Sequence, residues 1–563
     1  VSAPPDRNRD ALVFVPLGGV GEIGMNLYLY GYGRPGAYEW LVVDMGVTFG
    51  SEYEPGIDVI MPDIRFLEEE RHNIAGILLT HAHEDHFGAL PDLWPLLGRV
   101  PVYATPFTAE MLKSKIAEAN HIPQEDFPLE VLPLGAARMI GPFQVELLTM
   151  SHSIPEPSAV LLTTPLGRVL HTGDWKLDET PLTSPPTDEA RLRQIGREGL
   201  DAIVCDSTNA IREGVSPSEA EVGANLKDLI AKAPHGVAVT TFASNVARLG
   251  SVARAARAAG RELVVVGRAM YRVIEAAQAT GYLDPDLSFH EETAFDTLPR
   301  DKVVALCTGS QGEPRAAMAR IASGEHPNVS LKPGDWVIFS SRTIPGNEKA
   351  VGRVQNALSD AGMEILTDQD ALVHVSGHPR RGELRELYDW LKPEIAVPMH
   401  GEGRHLEAHA GLAEELGVKQ VIRARNGTMV HLLPQPAEIV DDVPGGRLYR
   451  DGTILTSADA GQVRERRKLS FAGIVTVSLV LTTRGDLVTD PEVSLNGIPE
   501  EDNHGIPLWE VAREAAIGTV ESIPRPRRKD PSLVAEAVRR GVRAALNQTW
   551  GKKPVCTVLT TVI

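Results

Sequence analysis

Four side chains that bind divalent cations fall within six positions of this 563-residue sequence: His81, His83, Asp85 and His86, in Leu78-Leu79-Thr80-His81-Ala82-His83-Glu84-Asp85-His86. Imidazole nitrogens and carboxylate oxygens suit zinc-like ions. Four of them exceed what one open catalytic site needs, so the run points to two metals sharing a pocket. A lone histidine at a strand end is ordinarily a hydrogen-bonded core or surface residue; four potential ligands together are not explained that way. Three more residues have the same setting, at or just after an apolar run: His152 after residues 143–148, Asp174 after 168–170, and His400 after 395–399.

The elements that must position these groups can be read from the apolar pattern. Residues 74–79, Ile-Ala-Gly-Ile-Leu-Leu, are short and aliphatic, as a buried strand is. If the strand runs on through Thr80, His81 and His83 share one face of it, and Gly88 and Pro91 mark a turn and a helix that return Asp85 and His86 to its end. The first third alternates expected strands (11–17, 25–30, 40–43, 74–80, 100–104) with Gly-rich turns and a helix at 106–119, an α/β pattern. From Pro217 the βα alternation strengthens, with helices at 218–231 and 245–259 and strands at 237–241, 262–266, 303–306 and 336–340, a parallel-sheet signature. Strands at 373–376 and 395–399 precede two further histidine clusters, so the chain returns to its first domain after an insertion. Residues 434–450, rich in Pro, Gly and Asp, read as a linker. A strand at 468–482, helices at 508–522 and 531–546, and a strand at 555–563 make a small α+β domain.

The length implies two to four domains. With 43% hydrophobic and 23% charged residues and no run of eighteen apolar ones, the chain reads as globular and spans no membrane. Residues 1–10 lack a signal peptide's apolar stretch and read as a disordered arm. Cys205, Cys307 and Cys556 are too few and too scattered for a disulfide framework; buried thiols in a reducing cytoplasm are expected. The net charge of −19 argues against nucleic-acid binding over the whole surface, though not against a local basic channel. The basic runs Arg464-Glu465-Arg466-Arg467-Lys468 and Arg525-Pro526-Arg527-Arg528-Lys529 read as solvated segments supporting assembly rather than as an RNA surface.

Taken in order, Asp44 in Val42-Val43-Asp44-Met45-Gly46, the run from His81 to His86, His152, Asp174 and His400 match five motifs of the metallo-β-lactamase superfamily, which the chain resembles. His400 lies 226 positions after Asp174, too far for a plain hydrolase of that class. The intervening residues resemble the insertion of the β-CASP branch, which includes nucleases of RNA and DNA. Within the branch the chain is similar to the ribonuclease J family. The blocks that carry this likeness are Leu17-Gly18-Gly19-Val20-Gly21-Glu22-Ile23-Gly24-Met25-Asn26, Cys205-Asp206-Ser207-Thr208-Asn209-Ala210, Thr241-Phe242-Ala243-Ser244-Asn245, Cys307-Thr308-Gly309-Ser310-Gln311-Gly312-Glu313, His374-Val375-Ser376-Gly377-His378 and His400-Gly401-Glu402. The resemblance implies an α/β chain with an αββα sandwich formed by residues 1–216 and 373–433, an inserted β-CASP α/β domain at 217–372, a linker at 434–466 and a C-terminal α+β domain at 467–563.

It also implies a site. His81, His83 and His152 would hold one metal, Asp85, His86 and His400 the other, with Asp174 bridging and Asp44 orienting ligands; a solvated turn aspartate is the alternative for Asp44. His171 reads as a core or supporting histidine rather than a ligand. The cofactors are two divalent ions, zinc by the histidine-rich set, with manganese and magnesium open. About 3.5–4 Å apart, such ions activate a water for in-line attack on phosphorus. His378, held by Asp206, is the implied general acid for the leaving 3′-oxygen. Ser244 and Asn245, just ahead of a helix, join His374, Ser376, Gly377 and Arg342 as candidates for a terminal 5′-phosphate, with helix capping the alternative for the first two. The expected activity is 5′→3′ exonucleolytic cleavage of 5′-monophosphorylated single-stranded RNA, with endonuclease activity besides, in RNA processing and decay. Association into a homodimer or larger assembly through the C-terminal domain, and RNA-decay partners, go with it. A DNA-directed nuclease and a non-catalytic RNA-binding scaffold are the alternatives, and the intact ligand set speaks against the second.

Overall fold

A computed structural model describes residues 9–563 apart from residues 120 and 345, so most of the expected N-terminal arm lies outside the described residues. The chain divides into two compact units: residues up to Thr48 with Ile60–Arg447, and Phe49–Val59 with Leu448–Ile563.

The first unit is built on two sheets. One has eight strands in the order Glu438–Asp442, Thr428–Leu433, Ala11–Gly18, Leu27–Arg34, Ala37–Val43, Ile74–Leu78, Val102–Ala104 and Leu129–Val131. The other has seven, in the order Ala137–Ile140, Phe143–Thr149, Ser158–Thr164, Gly167–His171, Ala202–Asp206, Ile395–Met399 and Gln420–Val421. Leu12, Phe14, Tyr30, Leu41 and Leu78 from the first sheet pack in one core with Val145, Val160, Val169, Val204 and Val397 from the second. Strand alternation turns Leu161, Leu170, Ile203 and Ala396 the other way, onto Leu192, Leu384 and Leu412 of the helices Glu189–Glu198, Arg381–Leu391 and Gly403–Glu415. Each fully buried aliphatic side chain stabilises this layering by about 1.5–3 kcal/mol. Ile74–Leu78 is parallel to both its neighbours, as is Ala202–Asp206, so their carboxyl ends fall on shared sheet edges, where open α/β sheets hold ligands.

The insertion carries a five-stranded, all-parallel sheet in the order Glu262–Val266, Val303–Cys307, Val237–Thr240, Trp336–Phe339 and Glu364–Leu366. Its first helix, Glu219–Lys232, opens in a capping box of Ser218 and Glu221. Arg248, fully buried, donates from Nη2 to both Glu219 carboxylate oxygens (3.1 and 3.0 Å) and from Nη1 to the carbonyls of Ser340 and Val373 (2.9 Å each).

Three expectations need correction. Residues 373–376 form no strand; the Val373 carbonyl accepts from the Arg248 and Ser340 side chains, which take the place of a ladder partner. The segment 434–466 is not a linker. Glu438–Asp442 pairs with Thr428–Leu433 as an edge strand, and Arg447–Asp451 pairs with Ile454–Ser457 in a hairpin; the Pro and Gly residues punctuate strands here. The expected strand at 468–482 begins late, because Gln462–Ala472 is a helix that ends at Gly473 (φ 65°), and Ile474–Leu481 follows as the strand.

In the second unit Val475, Val477, Leu479 and Leu481 of that strand pack on Ala512, Ala516, Val534, Val538 and Val542 of the helices Leu508–Ser522 and Pro531–Trp550. Glu492–Asn496 and Val555–Val562 flank the strand. All three cysteines are free and buried, as expected. Among the described residues no helix is long and apolar enough to cross a membrane.

Candidate metal centre

Every candidate ligand lies on a short connection at a strand's carboxyl end. Asp44 follows Ala37–Val43, His81 and His83 follow Ile74–Leu78, and Asp85 and His86 sit on the single helical turn Glu84–Phe87. That turn is clamped: Met45 N–H donates to the His86 carbonyl (2.6 Å) and Val47 N–H to the Glu84 carbonyl (3.1 Å). A Cβ on Gly46 would lie 1.6 Å from the Asp85 carbonyl oxygen, so only glycine lets the two segments touch. His152, Asp174, Asp206 and His400 come from the second sheet. Asp44 and His400 are non-glycine residues with φ of 64° and 48°, the kind of backbone strain that a surrounding structure holds in place at functional sites.

The fold brings these side chains into three overlapping groups whose donor atoms lie within 4.8 Å of one another: His81, His83, His152 and Asp174; Asp85, His86, Asp174 and His400; and Asp174, Asp206, His378 and His400. Asp174 belongs to all three. Its Oδ2 is 3.2 Å from His86 Nε2 and 3.8–3.9 Å from His152 Nε2 and His81 Nε2, while Oδ1 is buried without a hydrogen-bond partner, 3.7 Å from His400 Nδ1.

Hydrogen-bond chemistry assigns the tautomers. The carboxylate of Asp44 only accepts, so the Thr80 hydroxyl donates to it (2.8 Å) and must accept from His81 Nδ1 (3.0 Å). Asp44 also accepts from His86 Nδ1 (2.7 Å). The Thr208 hydroxyl donates to Asp206 (2.8 Å) and accepts from His400 Nδ1 (2.7 Å), while Asp206 accepts from His378 Nδ1 (2.8 Å). Two buried aspartates thus each hold two imidazoles, one directly and one through a threonine. The Gly377 carbonyl holds a fifth, accepting from His152 Nδ1 (2.6 Å). In neutral His81 and His152, Nε2 is therefore a bare lone pair, and each faces His83 Nδ1 at 3.0 Å. A proton on His83 Nδ1 can point squarely at only one of the two, so at least one lone pair is left for a cation. With the orphaned Asp174 oxygen, the donor set fits divalent metal ions bound through nitrogen and carboxylate.

Electrostatics agree. Burial keeps His81 and His152 well below the usual histidine range and His83 down to about 4, so they are neutral donors. Burial would also lower His400 and His86, but Asp174 with its neighbouring carboxylates outweighs it, raising His400 to about 10 and His86 well above the usual range. Burial disfavours ionised Asp174, yet His400, His86 and His378 hold it well below the carboxylate range. The pocket therefore calls for positive charge beside Asp174. His378, 19% exposed, is lowered by burial and raised more by Asp206 and Asp174, for a net rise.

The expected phosphate-binding residues divide. Asn245 caps Val246–Ala258, its side-chain oxygen accepting from Arg248 N–H (2.9 Å), with Ser244 half-buried beside it. Ser376 Oγ accepts from Asn209 Nδ2 (2.9 Å) and from the His378 N–H (3.4 Å). His374 is held well below the usual range, first by burial and then by Arg248, Arg342 and Lys176, so it stands in a positive field; its Nδ1 is buried without a partner. Arg342 Nε lies 3.3 Å from Asp368. Gly377 turns its carbonyl onto His152, and a Cβ there would lie 2.4 Å from His152 Cε1. His171, fully buried, meets the Tyr30 hydroxyl through Nδ1 (3.0 Å) and is lowered to about 3 by burial, as a core residue is.

Sequence reading missed the residues that orient the cluster. Thr80 and Thr208 stand beside motif residues, and Asn26 donates to the Asp85 carbonyl (3.0 Å) while its own amide oxygen accepts from the Tyr28 hydroxyl (2.7 Å). Asn209 donates to the His378 carbonyl (3.0 Å) as well as to Ser376. A polar side chain next to a ligand motif was the available signal; its direction was not.

Four family models match successive parts of the chain. Residues 53–208 match a family described as beta-lactamase superfamily domain, and 234–358 one described as ribonuclease J, beta-CASP domain. Residues 364–423 match a Zn-dependent metallo-hydrolase RNA specificity domain, and 461–563 a ribonuclease J C-terminal domain. The chain is 54% identical to ribonuclease J of Sinorhizobium meliloti over 98% of its own length and 97% of that protein's. It is 38% identical to ribonuclease J of Mycolicibacterium smegmatis over 99% and 98%, and 37% identical to that of Thermus thermophilus over 84% and 82%. A crystal structure of a protein of unknown function from Enterococcus faecalis V583 shares the fold at a TM-score of 0.50 and 16% identity, covering 75% of this chain and all of that one.

Proposed function

The chain belongs to the ribonuclease J family and is a metal-dependent ribonuclease; from that premise we propose that it uses two metal ions to release nucleotides 5′→3′ from 5′-monophosphorylated RNA and also cuts internally. One observation carries the two-metal reading: two four-donor groups share Asp174 while drawing otherwise on different side chains. His81, His83 and His152 would hold one ion and Asp85, His86 and His400 the other, zinc suiting so many imidazoles and manganese or magnesium being the alternatives. When bound, the pair supplies an activated water and neutralises charge on the scissile phosphate.

The remaining work falls to side chains. Asp206 accepts a hydrogen bond from His378 Nδ1, which leaves the proton on Nε2 as the one that would go to the leaving 3′-oxygen. The carboxylates of Asp206 and Asp174 raise His378 against the effect of burial, which favours the protonated ring that a general acid needs. Asn209 fixes the backbone of His378 and the hydroxyl of Ser376 together, so the acid and one phosphate-binding candidate move as a unit. The positive field around His374, with Arg342, Ser376, Ser244 and Asn245, would receive a terminal 5′-phosphate. Self-association would use the edge strand Val555–Val562, whose Leu559 and Val562 face solvent.

The test pairs 5′-monophosphate and 5′-hydroxyl versions of one oligoribonucleotide, with a DNA oligonucleotide of the same sequence. The proposal expects mononucleotides released fastest from the monophosphate. Equal rates without mononucleotide product would refute the exonuclease reading, and faster cleavage of DNA would move the substrate class.

A further inference from the structure

The basic run at 464–468 was expected to be solvated chain. It lies instead on the helix Gln462–Ala472, and this changes what it can do. Arg464, Arg467, Lys468 and Phe471 stand at i, i+3, i+4 and i+7, hence on one face, spanning about 10 Å along the axis. Arg466, on the opposite side, has its Nη2 2.6 Å from Asp451, and Val463 and Ala472, near the two ends of the helix, are buried. Arg464, Arg467 and Lys468 are exposed and form no ion pair among the described residues, whereas Arg539 and Arg540 on Pro531–Trp550 are both paired with Glu536. Glu465 is the one acidic residue on the helix, between Arg464 and Arg466.

The stripe ends on an aromatic ring. Phe471 is 69% exposed, the most exposed large hydrophobic among the described residues. Lys552 Nζ lies 4.6 Å from its ring centre and 5.4 Å from that of Trp550, and donates to the Phe471 carbonyl (3.1 Å). Unpaired cations along a helix face leading to a solvent-facing ring form the combination that holds single-stranded nucleic acid: the cations track phosphates and the ring stacks a base. In a chain of net charge −19, an unneutralised cationic stripe selects a polyanion.

We propose that this face of the C-terminal unit is a second contact surface for single-stranded RNA, with Arg464, Arg467 and Lys468 on the backbone and Phe471, backed by Lys552, under a base. The choice of RNA rests on the ribonuclease reading, but binding can be measured without cleavage.

The full-length protein is titrated, in chelator, against a 3′-fluorescent 20-nucleotide oligouridylate and against a ribose-phosphate 20-mer lacking bases. Three proteins are compared: the parent, Arg464→Ser/Arg467→Ser/Lys468→Ser, and Phe471→Ala. Each lost phosphate contact lowers the salt slope by about 0.7, so the triple variant should lose about 2 in slope and about 100-fold in affinity at 0.1 M salt. Phe471→Ala should weaken the oligouridylate about tenfold and leave the abasic polymer unchanged. Hydrolysis of a 5′-monophosphorylated trinucleotide, too short to reach a second surface, should stay at the parental rate in both variants. Unchanged oligouridylate binding by the triple variant overturns the proposal. So does a triple-variant defect for polyglutamate as large as that for RNA with Phe471→Ala neutral, which would mark a surface for acidic protein. A parent that binds the oligouridylate through this face yet hydrolyses no RNA would sink the ribonuclease reading alone.

Discussion

Replacing Gly377 with alanine tests the orienting network at its most confined point. The backbone tolerates the change, because Gly377 is not among the residues with positive φ. The space does not: the new Cβ would lie 2.4 Å from His152 Cε1 and 2.5 Å from Nδ1. Ordinary carbon contacts are about 3.5 Å or more, so the ring or the loop must yield by about 1 Å. The hydrogen bond from His152 Nδ1 to the Gly377 carbonyl, 2.6 Å long, cannot survive that shift unchanged. Loss of such an orienting partner lowers metal affinity or activity by about 10–100-fold, and a misplacement of about 1 Å costs about 10²-fold in rate. The variant should therefore lose one equivalent of tightly bound cation and about 10²-fold in kcat. The assay is elemental analysis after mild chelation, beside steady-state hydrolysis of a 5′-monophosphorylated oligonucleotide. A contrary pattern would refute the reasoning: unchanged kcat and cation content, with KM raised only for the 5′-phosphorylated substrate, would make Gly377 a phosphate-binding residue and the contact with His152 incidental.

Other consequences follow from the same contacts. Thr208→Val keeps the shape but removes the hydroxyl joining Asp206 to His400; activity should fall about 10–100-fold and return in Thr208→Ser, measured as kcat at saturating metal. Arg248→Ala strands the buried Glu219 carboxylate and takes from the Val373 carbonyl one of its two donors, leaving Ser340, which should destabilise the inserted domain by about 3–5 kcal/mol; hydrogen exchange over the five parallel strands reads this, and unaltered protection would count against it. Burial raises all three thiols, Cys556 to about 11, so at pH 8 its thiolate fraction is about 10⁻³. Because the thiolate is the nucleophile, alkylation of the native protein should be negligible at pH 8 and rise about tenfold per pH unit; mass spectrometry showing rapid labelling at pH 8 would contradict the burial.

The chemistry of this protein was legible early because metal ligation restricts residue type. His81, His83, Asp85 and His86 announce themselves by crowding, and His152, Asp174 and His400 by standing at the ends of apolar runs. The layers were legible for a related reason: strands buried on both faces, such as Ala202–Asp206 and Val303–Cys307, are nearly continuous in hydrophobicity. Where composition and conformation part company, reading failed. Glu438–Asp442 resembles linker because an edge strand faces water, and Gln462–Ala472 resembles a charge run because one helix face gathers the cations.

Direction was decided only in three dimensions. That Gly377 offers its carbonyl to His152, that Thr80 and Thr208 each pass a histidine's proton donor to an aspartate, and that Asp174 stands among six imidazoles depend on contacts between segments far apart in the chain. A sequence specifies which atoms can donate or accept. Which lone pair points into the pocket is settled by the partner at the other ring nitrogen, and packing of the two sheets puts that partner in place.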